Sequence, residues 1–531
     1  MSEVASGRPK RKWIIALSVT FGTLMGAIDA SIVNVALSQI RGAVGATVQE
    51  ITWISTSFAI ATVMVMPLTG FFGRLFGQKK VYLACLILFV IGSALCGIAW
   101  SLPSLVLFRA LQGFGAGALQ PTEQAILRQT FPPEEQGTAM ALFSMAVMIG
   151  PALGPTLGGY IVDNFHWSWI FFINVPVGVI GFFMVVRFVE EDEELKLAQR
   201  AEAEKQRRHM DWLGIALLWV TLICLQYVLE EGQADDWFDS ELILGLTLVA
   251  GIGAVMFVVR ELTAVSPAVN LALFKDRSFA SGTIVNAAIF AVLMSGMFLL
   301  PLFMQELLGF SATQSGMALM PRTLVMMVAM PIVGRLYNRF SPALFGGIGL
   351  VLAALGQYAL SAASLDTGVS QIVHGIILQG LGLAMILVPI STRMLAHVPR
   401  HRLADATGMS SLLRQIGGSL GIAGFATLLS RYNVIAGEHL KAHLVASRPE
   451  VVQRLQASAG ALRAMGAGPD AAQHGALQSL AGLCARQASL LAFDKLFLVG
   501  CLLFAAVFPL LFLLRGAGAN AEQPVHVEVE V

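Results

Sequence analysis

Charge is scarce in this sequence. Only 13% of its 531 residues are Asp, Glu, Lys or Arg, against roughly 25% in soluble domains. Mean hydropathy is +0.74, which excludes a soluble domain with a fully solvated surface. The net charge of +1 leaves no basic face for nucleic acid. Five cysteines are too few and too scattered for a disulfide framework. Cys85, Cys96, Cys224 and Cys501 fall in apolar runs, and Cys484 in a polar one. No Gly-x-x-x-x-Gly-Lys-[Ser/Thr] phosphate loop and no His-Glu-x-x-His occur, and the nine histidines are dispersed. The glycine clusters at 113–117 and 417–421 lie inside apolar runs rather than after strands, so they are not dinucleotide sites. The expectation is therefore a non-enzyme with no cofactor and no metal. Its energy would come from an ion gradient acting through membrane carboxylates.

What is present is a succession of apolar runs of membrane-spanning length. They predict an all-α polytopic membrane protein with about 14 transmembrane spans, from 13–38 to 494–514. The basic N-terminus (Arg8, Lys10, Arg11, Lys12) precedes a run too long for a signal peptide and lacking a small-residue cleavage site. The basic stretches 74–80, 187–208, 260–277, 335–339 and 393–402 alternate with Lys- and Arg-poor loops at 163–168, 233–241 and 366–370. By the positive-inside rule the basic stretches and both termini are cytoplasmic. Residues 431–491 then form a long outer loop, with an amphipathic helix expected near 449–462.

Pro67-x-x-Gly70 recurs as Pro331-x-x-Gly334, Leu111-Gln-Gly-Phe-Gly115 as Leu378-Gln-Gly-Leu-Gly382, and Gly154-x-x-x-Gly158 as Gly417-x-x-x-Gly421. One common offset, about 265 residues, indicates two parallel halves of six spans. The expected organisation is an N-terminal segment 1–12, a half at 13–188, a linker at 189–211, two inserted spans at 212–262, a second half at 263–514 containing loop 431–491, and a tail at 515–531.

Two helix faces stand out. Gly150, Gly154 and Gly158 recur every fourth residue, which lets a neighbouring helix approach backbone to backbone. Pro151 and Pro155 fall in the same run and bend it; the helix is either a hinge or a fixed packing element. Arg109, Gln112, Ala116, Gln120 and Glu123 form one polar stripe, which by default faces the bundle interior or a water cavity. Glu123 lies near the span end, so it is either functional or interfacial. At 1.5 Å per residue Asp29 lies ~24 Å along its outward span, and Arg109 ~8 Å below the outer end of its own. Both fall at similar depth in a ~30 Å core. Asp29 is thus a candidate proton- and substrate-responsive acid, and Arg109 a second deep charge at its level. Asn34, Gln112, Gln120 and Phe298 are candidates for a substrate pocket.

Gly150-x-x-x-Gly154-Pro155-x-x-Gly158-Gly159 resembles the antiporter motif of the major facilitator drug exporters. Residues 70–80, with Gly70, Arg74 and Gly77, resemble that superfamily's cytoplasmic loop motif, which latches the halves; the family pattern has an acidic residue where this chain has Arg74. The run 105–117 resembles the fourth-span motif, whose arginine, here Arg109, is linked to proton coupling; the resemblance also implies that the first and fourth spans are neighbours in one half, which makes Arg109 the expected partner of Asp29. Ala27-Ile-Asp29-Ala-Ser31-Ile-Val-Asn34, Trp167-Ser-Trp169-Ile-Phe-Phe-Ile-Asn174-Val-Pro176, Asp211-Trp-Leu-Gly214 and Arg414-Gln-Ile-Gly417-Gly418 resemble the fourteen-span drug:proton antiporter family, and within it the EmrB-type multidrug efflux permeases. The resemblance implies the major facilitator fold and proton-coupled export of amphipathic small molecules across the cell inner membrane. It also implies a periplasmic membrane-fusion adaptor and an outer-membrane channel as partners. The alternative is an exporter dedicated to one metabolite, such as a fatty acid or siderophore.

Overall fold

A computed structural model describes residues 9–190 and 211–510, except 265, 338 and 446, with the side chains of 9, 10, 48, 151, 152, 155, 312 and 313 also outside the description. The start of the N-terminal segment, most of linker 189–211, the tail 515–531 and the Pro155 side chain therefore lie outside the described residues.

The N-terminal half contains α1 (Pro9–Val44), α2 (Val48–Val65) continued through a 3-10 turn into α3 (Thr69–Phe76), α4 (Gln78–Gly97), α5 (Leu102–Thr130), α6 (Gln136–Asn164), and α7 (Trp169–Phe172) followed by α8 (Asn174–Phe188). The inserted pair is α9 (Trp212–Glu231) and α10 (Glu241–Thr263). The C-terminal half contains α11 (Arg277–Leu302), α12 (Ala312–Leu336), α13 (Pro342–Leu360), α14 (Val369–Met394), α15 (Leu403–Lys441), α16 (Pro449–Ala464) and α17 (Pro469–Val507). Among the described residues 13 segments are long and apolar enough to cross a membrane. The 29-residue α6 is the further long helix, giving the fourteen-span architecture.

Local chemistry sets many of the ends. Thr47, Ser101 and Ser311 each close a reciprocal capping box, satisfying backbone donors that the first helical turn leaves open. Asp211 accepts from the Gly214 N–H at 3.0 Å to cap α9, and also from Arg260 Nε of α10 at 2.9 Å. One side chain thus caps the inserted pair and ties its members together. Gly77, at φ +89°, turns α3 into α4, a conformation that a side chain disfavours.

The two halves repeat at the level of contacts. A Cβ on Gly92 would lie 2.7 Å from the Gln112 backbone, and one on Gly356 2.7 Å from that of Gln379. Gly113 meets the Phe58 carbonyl at 2.5 Å and Gly380 the Arg322 carbonyl at 2.8 Å by the same measure. Small residues bring α5 against α2 and α4, and α14 against α12 and α13, because packing rather than hydrophobic exclusion drives helix association in lipid.

The described basic stretches 74–80, 260–277 and 393–402 gather at one end, where Phe71, Val269, Leu273, Leu395 and Leu403 share an apolar cluster. The halves are closed together there. A Cβ on Gly137 would lie 2.6 Å from the Gly334 carbonyl. Gln129 Nε2 donates to the Arg400 carbonyl at 3.4 Å, and Arg74 pairs with Asp405 across the seam.

Segment 431–491 differs from the loop expected. α15 and α17 have 39 residues each, about 58 Å at 1.5 Å per residue, nearly twice the ~30 Å hydrocarbon core. Both run on beyond the far end, with α16 between them. The last span accordingly belongs to a helix that starts at Pro469, not near 494. Hydropathy marks where a helix is apolar, not where it stops. The polar part here is rich in alanine, the best helix former. Pro449 and Pro469 stand at helix starts, where proline is favoured. Gly466, at φ +95°, makes the turn from α16 to α17.

Candidate functional site

At the centre of the N-terminal half Arg109 Nη1 donates to Asp29 Oδ2 at 2.6 Å and to Gln112 Oε1 at 2.7 Å. Arg109 Nε donates to the Ile54 carbonyl at 3.2 Å. Gln112 Nε2 and Asn174 Nδ2 both donate to Asp29 Oδ1, at 2.9 and 2.8 Å. Asn174 also donates to Ser93 Oγ at 3.0 Å, and Ser93 to the Phe171 carbonyl at 2.8 Å. The guanidinium carbon lies 4.2 Å from the Phe58 ring centre and 5.6 Å from that of Phe171. The pair is 1% and 0% exposed.

Five separate chain segments converge on it. α1 brings Asp29 and α5 brings Arg109 and Gln112. The carbonyl comes from α2, Ser93 from α4, and Asn174 from the first residue of α8, where the helix restarts after α7. Such a pair compensates both charges where water is absent, and removing one partner typically costs 3–5 kcal/mol. A bulky cation has no access to Asp29 in this conformation, because both carboxylate oxygens are engaged and the residue is enclosed.

Glu123 sits deeper toward the basic end and is 0% exposed, enclosed by its neighbours. Its Oε1 accepts from Thr20 Oγ1 at 2.9 Å, while Oε2 has no partner among the described residues. The predicted polar stripe of α5 therefore divides. Arg109 and Gln112 serve Asp29, Glu123 faces α1, and Gln120 turns to the other half. There its Oε1 accepts from Arg414 Nη2 at 2.6 Å.

The four pocket candidates stand in different surroundings. Gln112 is enclosed in the ion-pair network and Gln120 lies at the seam. Asn34 is exposed, with its Oδ1 accepting from Ser55 Oγ at 3.1 Å, and Phe298 is exposed on α11.

Gly150, Gly154 and Gly158 press α6 against α1. Added Cβ atoms would meet the Ile28 nitrogen at 2.8 Å, the Ile32 nitrogen at 3.0 Å and Ile32 Cγ1 at 2.9 Å respectively. Ser31 Oγ donates to the Gly150 carbonyl at 3.1 Å. Gly159 faces open space, so it takes no part in this seam. In the loop motif, a Cβ on Gly70 would lie 2.7 Å from Asp405 Cα. Arg74 and Asp405 are 9% and 4% exposed. The charges of this cross-half pair are arranged with the cation on the N-terminal side, where the family pattern places an acid.

Sequence reasoning missed Asn174, Ser93, Phe58 and Arg322 as parts of the interior polar system. Asn174 stood in a quoted motif without an assigned role, and a polar residue at a predicted span entrance was its only signal. Arg322, 4% exposed in the middle of α12, was detectable as a lone charge inside an apolar run.

The family model described as Major Facilitator Superfamily matches residues 19–422. "Multidrug export protein EmrB" of Haemophilus influenzae is 34% identical over 432 residues, 80% of this chain and 82% of that protein. "Fatty acid resistance protein FarB" of Neisseria gonorrhoeae is 33% identical over 501 residues, 94% of this chain and 96% of that one. "Multidrug export protein EmrB" of Escherichia coli K12 is 36% identical over 411 residues, 77% of this chain and 78% of that one. Among solved structures, the proton:xylose symporter XylE has a TM-score of 0.60 at 13% identity, covering 93% of this chain and 95% of its own. The human organic anion transporter MFSD10 has 0.58 at 14%, covering 94% and 100%. The helical repeat, the family match across both halves and the coverage of these relatives agree: the chain belongs to the Major Facilitator Superfamily.

Proposed function

We propose that this multi-pass membrane protein is a proton-coupled antiporter that exports amphipathic drugs or toxic compounds across the cell inner membrane. The basic end faces the cytoplasm, and both termini lie there. The observation that carries the reading is the enclosed Asp29–Arg109 pair, held by neutral donors from several helices. A proton taken up by Asp29 removes its negative charge and leaves the enclosed Arg109 cation without its counter-ion. Arg109 keeps its bonds to Gln112 and the Ile54 carbonyl, so the change falls on α1. Because α1 packs on α6 through the glycine seam, loosening the pair is felt at the antiporter motif. Glu123, which has hydroxyls and, among the described residues, no cation beside it, is a second proton-carrying position, since an ionised carboxylate in that setting is costly.

The far-end helical extension supports a role as the permease of a tripartite system. It offers a surface beyond the membrane for a periplasmic adaptor, which in turn meets an outer-membrane channel. Relatives named multidrug export proteins support the drug reading. The second reading, a dedicated exporter of one metabolite, is favoured by the relative named for fatty acid resistance.

Proton release from the purified protein on adding drug tests the proposal. Asp29→Asn is expected to leave a folded protein and abolish the release, and Glu123→Gln to reduce it. Normal release from Asp29→Asn refutes Asp29 as the coupling acid. A susceptibility profile in a pump-deficient host separates broad export from the dedicated reading.

A further inference from the structure

We propose that the inserted helix α9 is a strap over the seam between α2 and α15. It travels with the N-terminal half and lets go of α15 when the basic end opens.

At the basic end the two halves touch directly along this seam. A Cβ on Gly408 of α15 would lie 2.5 Å from the Met66 carbonyl, and one on Gly70 2.7 Å from Asp405 Cα. Leu218 and Leu222 of α9 share an apolar cluster with Met66 and Leu412 there. Farther out, α2 and α15 each bond to α9. On the α2 side, Trp219 Nε1 donates to the Met64 carbonyl at 3.2 Å, and Thr56 Oγ1 donates to Glu231 Oε1 at 2.9 Å. The Trp53 and Tyr227 ring centres lie 5.5 Å apart. On the α15 side, Gln226 Nε2 donates to Ser419 Oγ at 2.9 Å, and Ser419 in turn donates to Glu230 Oε1 across a long 3.4 Å. Trp237 Nε1, from the turn after α9, donates to Thr427 Oγ1 at 2.9 Å. Tyr227 and Glu231 are one turn apart, as are Gln226 and Glu230, so two adjacent stripes of one helix serve the two halves.

Opening the basic end moves one half against the other, and α9 cannot follow both. The chemistry of its two sides decides which it leaves. The Thr56–Glu231 bond is short and charge-assisted, and an aromatic pair backs it. The α15 side holds unrelieved costs. Gln226 is 1% exposed, and its Oε1 has no partner among the described residues; a buried acceptor left open is destabilising. Asp236 and Trp237, which set the indole against Thr427, sit at φ +54° and +52°, a left-handed conformation that side chains disfavour. Backbone strain of this kind persists only while surrounding contacts impose it. Release of α15 frees the turn and lets Gln226 find another partner, while the bonds to α2 stay whole. The contacts to α15 therefore oppose opening, and those to α2 do not.

The test tethers α9 to one half at a time in the purified full chain. Thr69, 1% exposed beside Gly408 in the basic-end seam, is replaced by cysteine as the reporter of opening. Thr56→Cys with Glu231→Cys ties α9 to the N-terminal half, and Gln226→Cys with Ser419→Cys ties it to the C-terminal half. Each pair is oxidised to a disulfide, and maleimide labelling at position 69 is followed by mass spectrometry, which also identifies the joined peptides. Where a pair does not join, Trp53→Cys with Tyr227→Cys and Trp237→Cys with Thr427→Cys take their places. The tether to the C-terminal half is expected to slow labelling at least tenfold, with reduction restoring the rate. The tether to the N-terminal half should leave labelling within twofold of the untethered chain. Unslowed labelling with the C-terminal tether overturns the strap, and equal slowing by the N-terminal tether overturns its travel with that half. The readout uses no drug, so failure of the export reading leaves this test standing.

Discussion

Asp405→Asn should open the basic end. The carboxylate of α15 pairs with Arg74 of α3 across the seam, with both residues nearly enclosed. This pair exists only while the halves are closed, so its free energy counts wholly toward the closed state. Hydrogen bonds to charged groups contribute about 1.5–3 kcal/mol, which is a factor of about 10–150 in the open-to-closed ratio. Thr69 reports that ratio. It is 1% exposed, and its Cβ lies 3.5 Å from where a Cβ on Gly408 would stand, so it is uncovered only when the seam parts. Thr69→Cys, with maleimide labelling at position 69 followed by mass spectrometry, should react about 10–150 times faster in the Asp405→Asn background. Arg74→Asp alone should do the same, and Arg74→Asp combined with Asp405→Arg should recover much of the protection. Labelling within twofold of the parent in both single variants would refute a closing role for the pair, leaving the glycine contacts as the closure.

Three further outcomes follow from the same geometry. Gly154→Leu should lower the thermal stability of the purified protein by overpacking against Ile32, a cost of about 1–3 kcal/mol or more, whereas Gly159→Ala should leave the melting temperature unchanged; equal effects would contradict the α1–α6 seam. Cys484, partly exposed on the far-end extension, should react with a membrane-impermeant maleimide in intact cells with permeabilised outer membranes; labelling only after lysis would invert the topology. Replacing 440–485 by a short Gly/Ser linker should spare proton-coupled transport in vesicles and abolish drug resistance in cells, and unchanged resistance would count against an adaptor surface there.

Much of the fold was legible in the sequence because its determinants are local. Low charge, apolar runs of spanning length and alternating basic loops need no partner to be read. The repeat showed in short glycine and proline patterns, and helical rise alone set Asp29 and Arg109 at one depth. Their pairing could be anticipated because both belong to one half. Tertiary structure alone decided what crosses between segments whose relative placement no local rule fixes. Arg74 finds Asp405 at a separation of 331 residues, and Gln120 finds Arg414 at 294. The loop motif lacked its acid, yet the charge pair exists with its signs exchanged, because the partner lies on the other half. Glu123 proved enclosed because α1 covers it. The far-end segment proved helical because hydropathy records lipid contact, whereas helicity follows backbone propensity and capping. Helix faces follow from periodicity along one chain segment, but which faces meet depends on the packing of all of them together.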